Sequence, residues 1–271
     1  MLSIVRVPGA QSARGALPWA PLVGLVLGCL ATAVGWAGAR YGTPLIGAVL
    51  ALAVLAALTR GLHLDGLADT ADGLGPLRGR ERALEVMRAG DVGPFGVVTL
   101  VLTLLLQAAS LAQLLSVDGG WLVLPVAAVA ARIGMARTGL PGVAIAEGST
   151  LGRAVAGTVS RRWLTGTAAV FAVAAAATAG STTGSASDPV ASSGRTVAVS
   201  QLGYAVLDPG PGNGAQAALG LLAAVGLGWV AAEALYRRAR ARLGGVNGDV
   251  MGAIGEVSTA GTLLAATVLL A

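Results

Sequence analysis

The sequence contains no lysine, a single cysteine, a single histidine and few aromatic residues. Of its 271 residues only 11% are charged, against about 25% in soluble domains, while 55% are hydrophobic. A soluble fold of this length exposes too much surface to hide so much apolar material from water. Cys29 stands alone, which excludes an internal disulfide and a cysteine-based metal site. These shortages point to a protein whose solvent is a lipid bilayer.

The chain is rich instead in glycine, with 41 residues, and in long apolar runs. Small residues let membrane helices approach closely, and about 17–25 helical residues cross the hydrocarbon core. We therefore predict an all-α polytopic transmembrane bundle forming one integral-membrane domain with cytoplasmic catalytic loops. Seven spans are expected, near residues 17–39, 43–59, 95–117, 121–137, 163–183, 215–236 and 250–271. Residues 181–214 are rich in Ser, Thr, Gly and Pro, which predicts a flexible external insertion.

The distribution of arginine predicts the orientation of these spans. Sixteen of the 18 arginines fall on one side of the predicted bundle, and only Arg40 and Arg195 fall on the other. Because basic loops stay on the cytoplasmic side, we expect a multi-pass protein of the cell membrane with its N-terminus and its active site in the cytoplasm. The lipid bilayer is its expected surrounding and nucleic acid is not expected as a partner. A homo-oligomer remains open.

The acid-rich stretch between Gly61 and Gly75 carries the most chemical information. Asp65, Asp69 and Asp72 are spaced i, i+4 and i+7, so on a helix they share one face within about 60°. Like charges one turn apart repel each other and destabilise a helix. Two explanations of the spacing are open: the face is solvated, or it binds a cation. Carboxylate oxygens without cysteine or a histidine cluster favour Mg²⁺ or Mn²⁺. We interpret this face as a divalent-metal site.

Three further groups are candidates for function. His63 is interpreted either as a packed or capping residue or as a general base or ligand. Glu256 lies about 10 Å along the last predicted span and on one face with Asp249. An acid at that depth is expensive unless it serves a cavity, so function is its default interpretation. The glycine-rich loop before Asp249 is typical of a nest for an anion or nucleotide.

Two segments of the sequence resemble a known enzyme family. The run Gly-Leu-His-Leu-Asp-Gly-Leu-Ala-Asp-Thr-Ala-Asp-Gly, which begins at Gly61, closely resembles the signature of the cobalamin synthases, the adenosylcobinamide-GDP ribazoletransferases. The run from Leu243 to Glu256 is similar to the family's C-terminal motif, and residues 21–28 are similar more weakly. The likeness covers the chain in order and length, except for 181–214. The chain departs from the family at 87–91, where it has Met-Arg-Ala-Gly-Asp and family members carry Met-Arg-Asp-Ser-Arg. Arg88 keeps its place in this motif and the acid does not, so Arg88 is the better candidate for a functional residue than Asp91.

The resemblance implies a Mg²⁺-dependent transfer. A hydroxyl of α-ribazole, or of its 5′-phosphate, would attack the cobinamide-bound phosphate of adenosylcobinamide-GDP and release GMP. Such a reaction needs a metal to bridge phosphates and arginine to balance charge. The implied metal ligands are Asp65, Asp69, Asp72 and Asp249. The implied catalytic and substrate-binding residues are His63, Arg88 and Glu256, then Arg137, Gly245, Asn247 and Gly248.

Two other functions compete with this interpretation. A lipid-headgroup phosphotransferase would use similar aspartate chemistry, but its usual motif places an arginine after Asp-Gly-x-x-Ala, where this chain has Asp69. An ion or solute carrier would place Glu256 and Arg132 in its pathway. Carriers are often built from inverted repeats, and the sequence contains none that we detect.

Overall fold

The computed structural model describes residues 15–75, 79–182 and 214–270, and these residues are almost entirely helical. A 3₁₀ turn at Leu17–Trp19 leads into the first of ten α-helices. The first five are α1 (Ala20–Tyr41), α2 (Pro44–Leu58), α3 (Leu62–Leu74), α4 (Arg80–Arg88) and α5 (Pro94–Leu114). The others are α6 (Val123–Ala136), α7 (Thr150–Val155), α8 (Arg161–Thr182), α9 (Gly214–Leu243) and α10 (Gly248–Leu269). The predicted all-α class is confirmed.

The described helices provide five or six membrane spans rather than the seven predicted. Five stretches are long and apolar enough by themselves: Leu17–Tyr41, Pro94–Leu114, Gly120–Gly139, Gly214–Leu243 and Gly248–Leu269. The stretch predicted at 43–59 forms a helix of 15 residues, about 22 Å long, which is short for a 30 Å core. It qualifies only together with α3, as a bent pair. The stretch predicted at 163–183 is helical as α8 but is not among the five.

The bend between α2 and α3 sets the position of the acidic helix. Thr43 caps the start of α2 by accepting a hydrogen bond from the Ile46 N–H at 3.2 Å. At the other end Arg60 and Gly61 both have positive φ, 55° and 69°. Only glycine adopts this conformation without strain, so Gly61 allows the chain to turn here. The result is an angle of 89° between α2 and α3.

Small residues bring the helices of the bundle into close contact. A Cβ added to Gly24 of α1 would lie 2.6 Å from the carbonyl oxygen of Ala128 on α6. A Cβ on Gly35 would lie 2.8 Å from the Ala51 methyl of α2. In lipid, where apolar surface gains little by leaving its solvent, such close packing is what holds helices together. Large apolar side chains face outward instead, including Val170 at 72% exposure and Val268 at 77%.

The helix ends predicted to share one side of the membrane do lie together. Leu17 at the start of the first span packs in one buried cluster with Ala136, Val155, Val159 and Met251. These residues come from the end of α6, from α7 and its following loop, and from the start of α10. The arginine-rich end of the bundle is therefore a real structural face. Which side of the membrane it faces remains a prediction. The predicted insertion at 181–214 lies almost wholly outside the described residues.

Candidate active site

Asp72 anchors the acidic helix α3 to the start of α5. Its Oδ2 accepts a hydrogen bond from the Gly93 N–H at 2.8 Å, and its Oδ1 accepts one from the Gly96 N–H at 3.0 Å. These N–H groups belong to the first turn of α5, where no backbone carbonyl is available and a negative charge is favoured. A Cβ at either glycine would collide with the Asp72 carboxylate. Asp72 therefore has a structural task that the sequence analysis did not foresee.

The crossing of α3 and α10 brings a fourth aspartate to the acidic face. A Cβ on Gly66 would lie 2.9 Å from the Asp249 Cα, and a Cβ on Gly252 would lie 3.1 Å from the His63 Cα. Two glycines at the crossing let the backbones touch, because neither helix has a side chain in the way. Asp249 and the acidic helix, which are far apart in sequence, are thereby neighbours in space.

The four carboxylates interact electrostatically. Asp69 is buried, at 8% exposure, and it is repelled by Asp65, Asp249 and Asp72. Asp249 is likewise repelled by Asp65. A divalent cation would offset the repulsion, and hard oxygen donors suit Mg²⁺.

The side-chain positions do not yet form a ligand shell. In the described part of the chain, no three acidic, histidine or cysteine side chains stand close enough to hold one ion together. Asp65 is exposed and on a helix surface, whereas Asp72 is held by its two backbone hydrogen bonds. Metal binding at Asp65, Asp69, Asp72 and Asp249 remains a prediction, which requires the carboxylates to close around the ion.

A buried polar cluster lies behind the acidic face, between α2, α3, α5, α6 and α10. The Gln107 Nε2 donates a hydrogen bond to the Glu256 Oε2 at 3.1 Å. The His63 Nδ1 lies 3.9 Å from the Glu256 Oε1, and the Arg132 guanidinium attracts the same carboxylate. His63, Gln107 and Arg132 are all at most 9% exposed. Glu256 therefore lies beside the acidic helix.

Gln107 is not among the residues predicted from the sequence, and Arg132 is predicted there only as part of a carrier pathway. The available signal was a polar residue in the middle of an apolar span, which is expensive unless it has a partner. A cavity of about 30 Å³ beside the cluster, lined also by Thr59 and Thr259, has room for about one water molecule. A substrate group does not fit there.

The two arginines predicted to bind phosphate have different surroundings. Arg88, at the end of α4, is exposed and its Nη2 donates a hydrogen bond to the Glu147 carbonyl oxygen at 2.7 Å. Arg137 lies 2.9 Å from the Glu233 Oε2 and stacks 4.1 Å above the Tyr236 ring. Its described contacts are thus to α9 rather than to the acidic helix.

The glycine-rich loop before α10 has a structural reason for its sequence. The Val246 N–H donates to the Ala144 carbonyl, and the Ala146 N–H donates to the Val246 carbonyl, both at 3.0 Å. A Cβ on Gly245 would lie 2.6 Å from the Ala144 carbonyl oxygen, so this backbone pairing requires glycine. Gly248, the first residue of α10, faces Leu151.

Asn247 performs two tasks in the same loop. Its Oδ1 caps α10 by accepting from the Val250 N–H at 2.9 Å, and its Nδ2 donates to the Asp249 Oδ2 at 2.8 Å. The described contacts therefore make Gly245 and Asn247 part of the support for Asp249. Whether the loop also holds an anion remains a prediction.

The fold and the site define a polytopic helical membrane protein with an aspartate cluster at the charged end of its bundle. A sequence model of the cobalamin-5-phosphate synthase family matches residues 1–267. An adenosylcobinamide-GDP ribazoletransferase of Frankia casuarinae is 37% identical over 261 residues, which cover 92% of this chain and 83% of the relative. A protein of the same name from Corynebacterium efficiens is 34% identical over 86% of this chain and 74% of its own length.

A third relative of that name, from Chlorobaculum parvum, is 44% identical over 115 residues, which are 42% of this chain and 45% of the relative. No solved structure matches the chain. The chain belongs to the cobalamin-5-phosphate synthase family, and it is a transferase of cobalamin biosynthesis.

Proposed function

We propose that this enzyme joins α-ribazole, or its 5′-phosphate, to adenosylcobinamide-GDP. The ribazole hydroxyl forms a bond to the cobinamide-bound phosphorus, the bond from that phosphorus to the GMP oxygen breaks, and GMP leaves. The hydroxyl proton passes to a base. The products are adenosylcobalamin, or its 5′-phosphate, and GMP. The names of relatives along most of the chain support this reaction.

The single observation that carries the proposal is the convergence of Asp249 with Asp65, Asp69 and Asp72. Three aspartates come from one helix and the fourth from the end of the sequence, and all four repel one another or a common neighbour. Such an arrangement destabilises the protein unless a cation uses it. Bound Mg²⁺ would supply charge neutralisation for a pyrophosphate and for the phosphoryl group in transfer.

The residues of the chain would then act by position and charge. Asp65, Asp69 and Asp249 would hold the ion. Asp72 keeps α3 fixed against α5 and would offer the ion its remaining lone pairs. Arg88 is the arginine that we propose for substrate phosphate, since it is exposed and fixed beside the Glu147–Gly148 turn. Arg137 has no part in this proposal, because its partners are on α9.

His63 and Glu256 remain the candidates for accepting the hydroxyl proton. The cavity beside them has room for about one water. A bridging water, or movement of a side chain, is therefore required before either group reaches a substrate hydroxyl. Gln107 and Arg132 would orient Glu256 whether the proton passes through a water or through a side-chain movement.

The direct experiment is a transfer assay on the purified protein in lipid vesicles. Adenosylcobinamide-GDP and α-ribazole are supplied with and without Mg²⁺, and GMP release is measured together with the corrinoid product. We expect stoichiometric GMP and cobalamin formation that stops with chelator and returns with Mg²⁺. GMP release that does not depend on ribazole would contradict the transfer, and full activity in excess chelator would contradict the metal.

A matched pair of variants tests the site itself. Asp69→Asn removes a buried carboxylate from the cluster, whereas Glu85→Gln removes an exposed one that pairs with Arg82 at 2.6 Å. Loss of one metal ligand costs several kcal/mol of transition-state stabilisation, so we expect Asp69→Asn to lower kcat by about 10³-fold or more. Glu85→Gln should retain normal turnover. Equal activity of the two variants would remove the metal from the proposal.

A further inference from the structure

A large cavity lies on the side of α10 that faces α9, away from the acidic helix. Its volume is about 710 Å³, within the range of pockets that bind organic molecules. Helices α6, α8, α9 and α10 all contribute to its walls. The walls are mostly apolar and include Leu164, Ala168, Trp229 and Val230. Val230 is 66% exposed, so the cavity opens on the outer surface of the bundle, where lipid lies.

The charged residues of this cavity are gathered at one end. Arg137, Glu233 and Arg237 line it there, and Glu233 binds both arginines, at 2.9 Å to the Arg137 Nη2 and 2.8 Å to the Arg237 Nε. Two positive charges against one negative charge leave this end with a net positive charge. Both arginines belong to the arginine-rich end of the bundle.

One donor at this end has no acceptor. The Arg137 Nη1 is buried and lacks a hydrogen-bond partner. An unsatisfied buried donor on a charged group is costly, so a small rotation of the guanidinium that brings Nη1 to a ligand oxygen in the cavity would be favoured. Glu233 does not reach this nitrogen, since its carboxylate is bound by the Arg237 Nε and by the other terminal nitrogen of Arg137, Nη2.

The apolar part of the cavity extends into the membrane from this charged end. Gly226 and Arg237 both line it, and their separation of 11 positions along α9 corresponds to about 16 Å. The cavity therefore begins with a positive group at the membrane surface and continues as an apolar channel that can hold part of an acyl chain. Basic pockets between membrane helices bind the head groups of anionic lipids.

We propose that this cavity binds an anionic phospholipid, with its phosphate at the Arg137 guanidinium and an acyl chain along Trp229 and Val230 towards Gly226. A soluble anion would use only the charged end and would leave the apolar walls without a ligand. A zwitterionic lipid could offer its phosphate to Arg137, but with no net charge it would leave the net positive charge of this end uncompensated. The site is separate from the transfer reaction proposed above, and it predicts lipid-dependent stability.

The test uses the full chain purified in a neutral detergent. Native mass spectrometry and thermal unfolding are measured with phosphatidylglycerol, with phosphatidylcholine and with inorganic phosphate. We expect one phosphatidylglycerol to be retained and to raise Tm, with weaker effects of the other two. Equal binding of phosphatidylcholine, or equal stabilisation by inorganic phosphate, would overturn the proposal.

Two variants with matched controls locate the site. Arg137→Gln should weaken phosphatidylglycerol binding about tenfold, because it removes one charge-assisted hydrogen bond, whereas the exposed Arg153→Gln should not. Glu233 keeps Arg237 as its partner in the first variant.

The second pair does not depend on Arg137. Gly226→Leu projects into open space inside the cavity, and Gly166→Leu projects into open space on α8 outside it. Only Gly226→Leu should lose the bound lipid. If both cavity variants retain phosphatidylglycerol as well as their controls do, the site is excluded, and if Arg137→Gln fails to fold, Gly226→Leu still decides.

Discussion

Replacing Asp69 and Asp72 separately by Asn should distinguish the two tasks of the acidic helix. Asp72 accepts two backbone hydrogen bonds at the start of α5, at 2.8 and 3.0 Å. Asn keeps one acceptor, turns an NH₂ group towards the other N–H and removes the charge that the helix start favours. Hydrogen bonds to charged groups contribute about 1.5–3 kcal/mol, and the helix dipole adds up to about 1 kcal/mol. We therefore expect Asp72→Asn to lose about 2–3 kcal/mol of stability.

Asp69→Asn should behave in the opposite way. Its carboxylate is repelled by three neighbouring aspartates, and no hydrogen bond to it is found among the described residues. An amide of the same shape removes the repulsion, so without metal the Tm should stay the same or rise. With Mg²⁺ the wild-type Tm should rise, while that of Asp69→Asn should rise much less, because a ligand is missing.

The assay is thermal unfolding of both variants in detergent, in chelator and across a Mg²⁺ titration, with Glu85→Gln as the exposed control. The discriminating quantity is the difference in Tm between the two variants in chelator, which should be several degrees. Asp69→Asn losing as much stability as Asp72→Asn would refute the reasoning. So would a Mg²⁺ response that is the same in Asp69→Asn and wild type.

Three further outcomes are expected. Glu256→Gln should lower kcat with little change in Tm, since the amide oxygen still accepts a hydrogen bond from Gln107. Glu256→Leu should lower Tm as well. Normal kinetics in Glu256→Gln across a Mg²⁺ titration would exclude a functional role for Glu256. Gly245→Ala should destabilise the loop that supports Asp249, because the added methyl pushes the loop away from the Ala144 carbonyl. Faster proteolysis of the loop in the folded protein would report this destabilisation. An unchanged rate of proteolysis would contradict the pairing of the loop with residues 144–146. With Cys29 replaced, a cysteine at Ser185 should react with an impermeant thiol reagent outside intact cells and one at Ala89 should not; labelling at Ala89 would reverse the predicted orientation.

The features that the sequence predicts correctly are local ones. The i, i+4, i+7 spacing of the aspartates predicted a shared helical face, and α3 is a helix over Leu62–Leu74. The spacing of Asp249 and Glu256 likewise predicted a common face of the last helix. Both inferences depend only on helical geometry, which is the same in every protein. The family likeness was also readable from two short motifs.

Other features could not be read from the sequence because they depend on which helices meet. Nothing in the run around Asp72 shows that its carboxylate caps a helix that begins 22 residues later, and the glycines at 93 and 96 look like an ordinary turn until that carboxylate is placed beside them. The pairing of Gly245–Val246 with residues 144–146 is equally long-range, and it gives the glycine of this loop a structural reason that the sequence does not show. The different surroundings of the two arginines predicted to bind phosphate, Arg88 and Arg137, are a third case. The partners of Arg137, Glu233 and Tyr236, lie about 100 positions away from it in the sequence.

The sequence by itself determined that the chain is embedded in a membrane, that most of its charged residues lie at one end of the bundle, and that three aspartates share one face of a helix. Composition and helical period suffice for these conclusions, because they follow from transfer of apolar surface and from backbone geometry. Only the tertiary structure decided the rest. The left-handed turn at Gly61 redirected a 15-residue helix, the glycine crossing of α3 and α10 added Asp249 to the cluster, and packing placed Gln107 and Arg132 around Glu256. Those contacts depend on helices approaching within van der Waals distance, and local sequence carries no record of the neighbour.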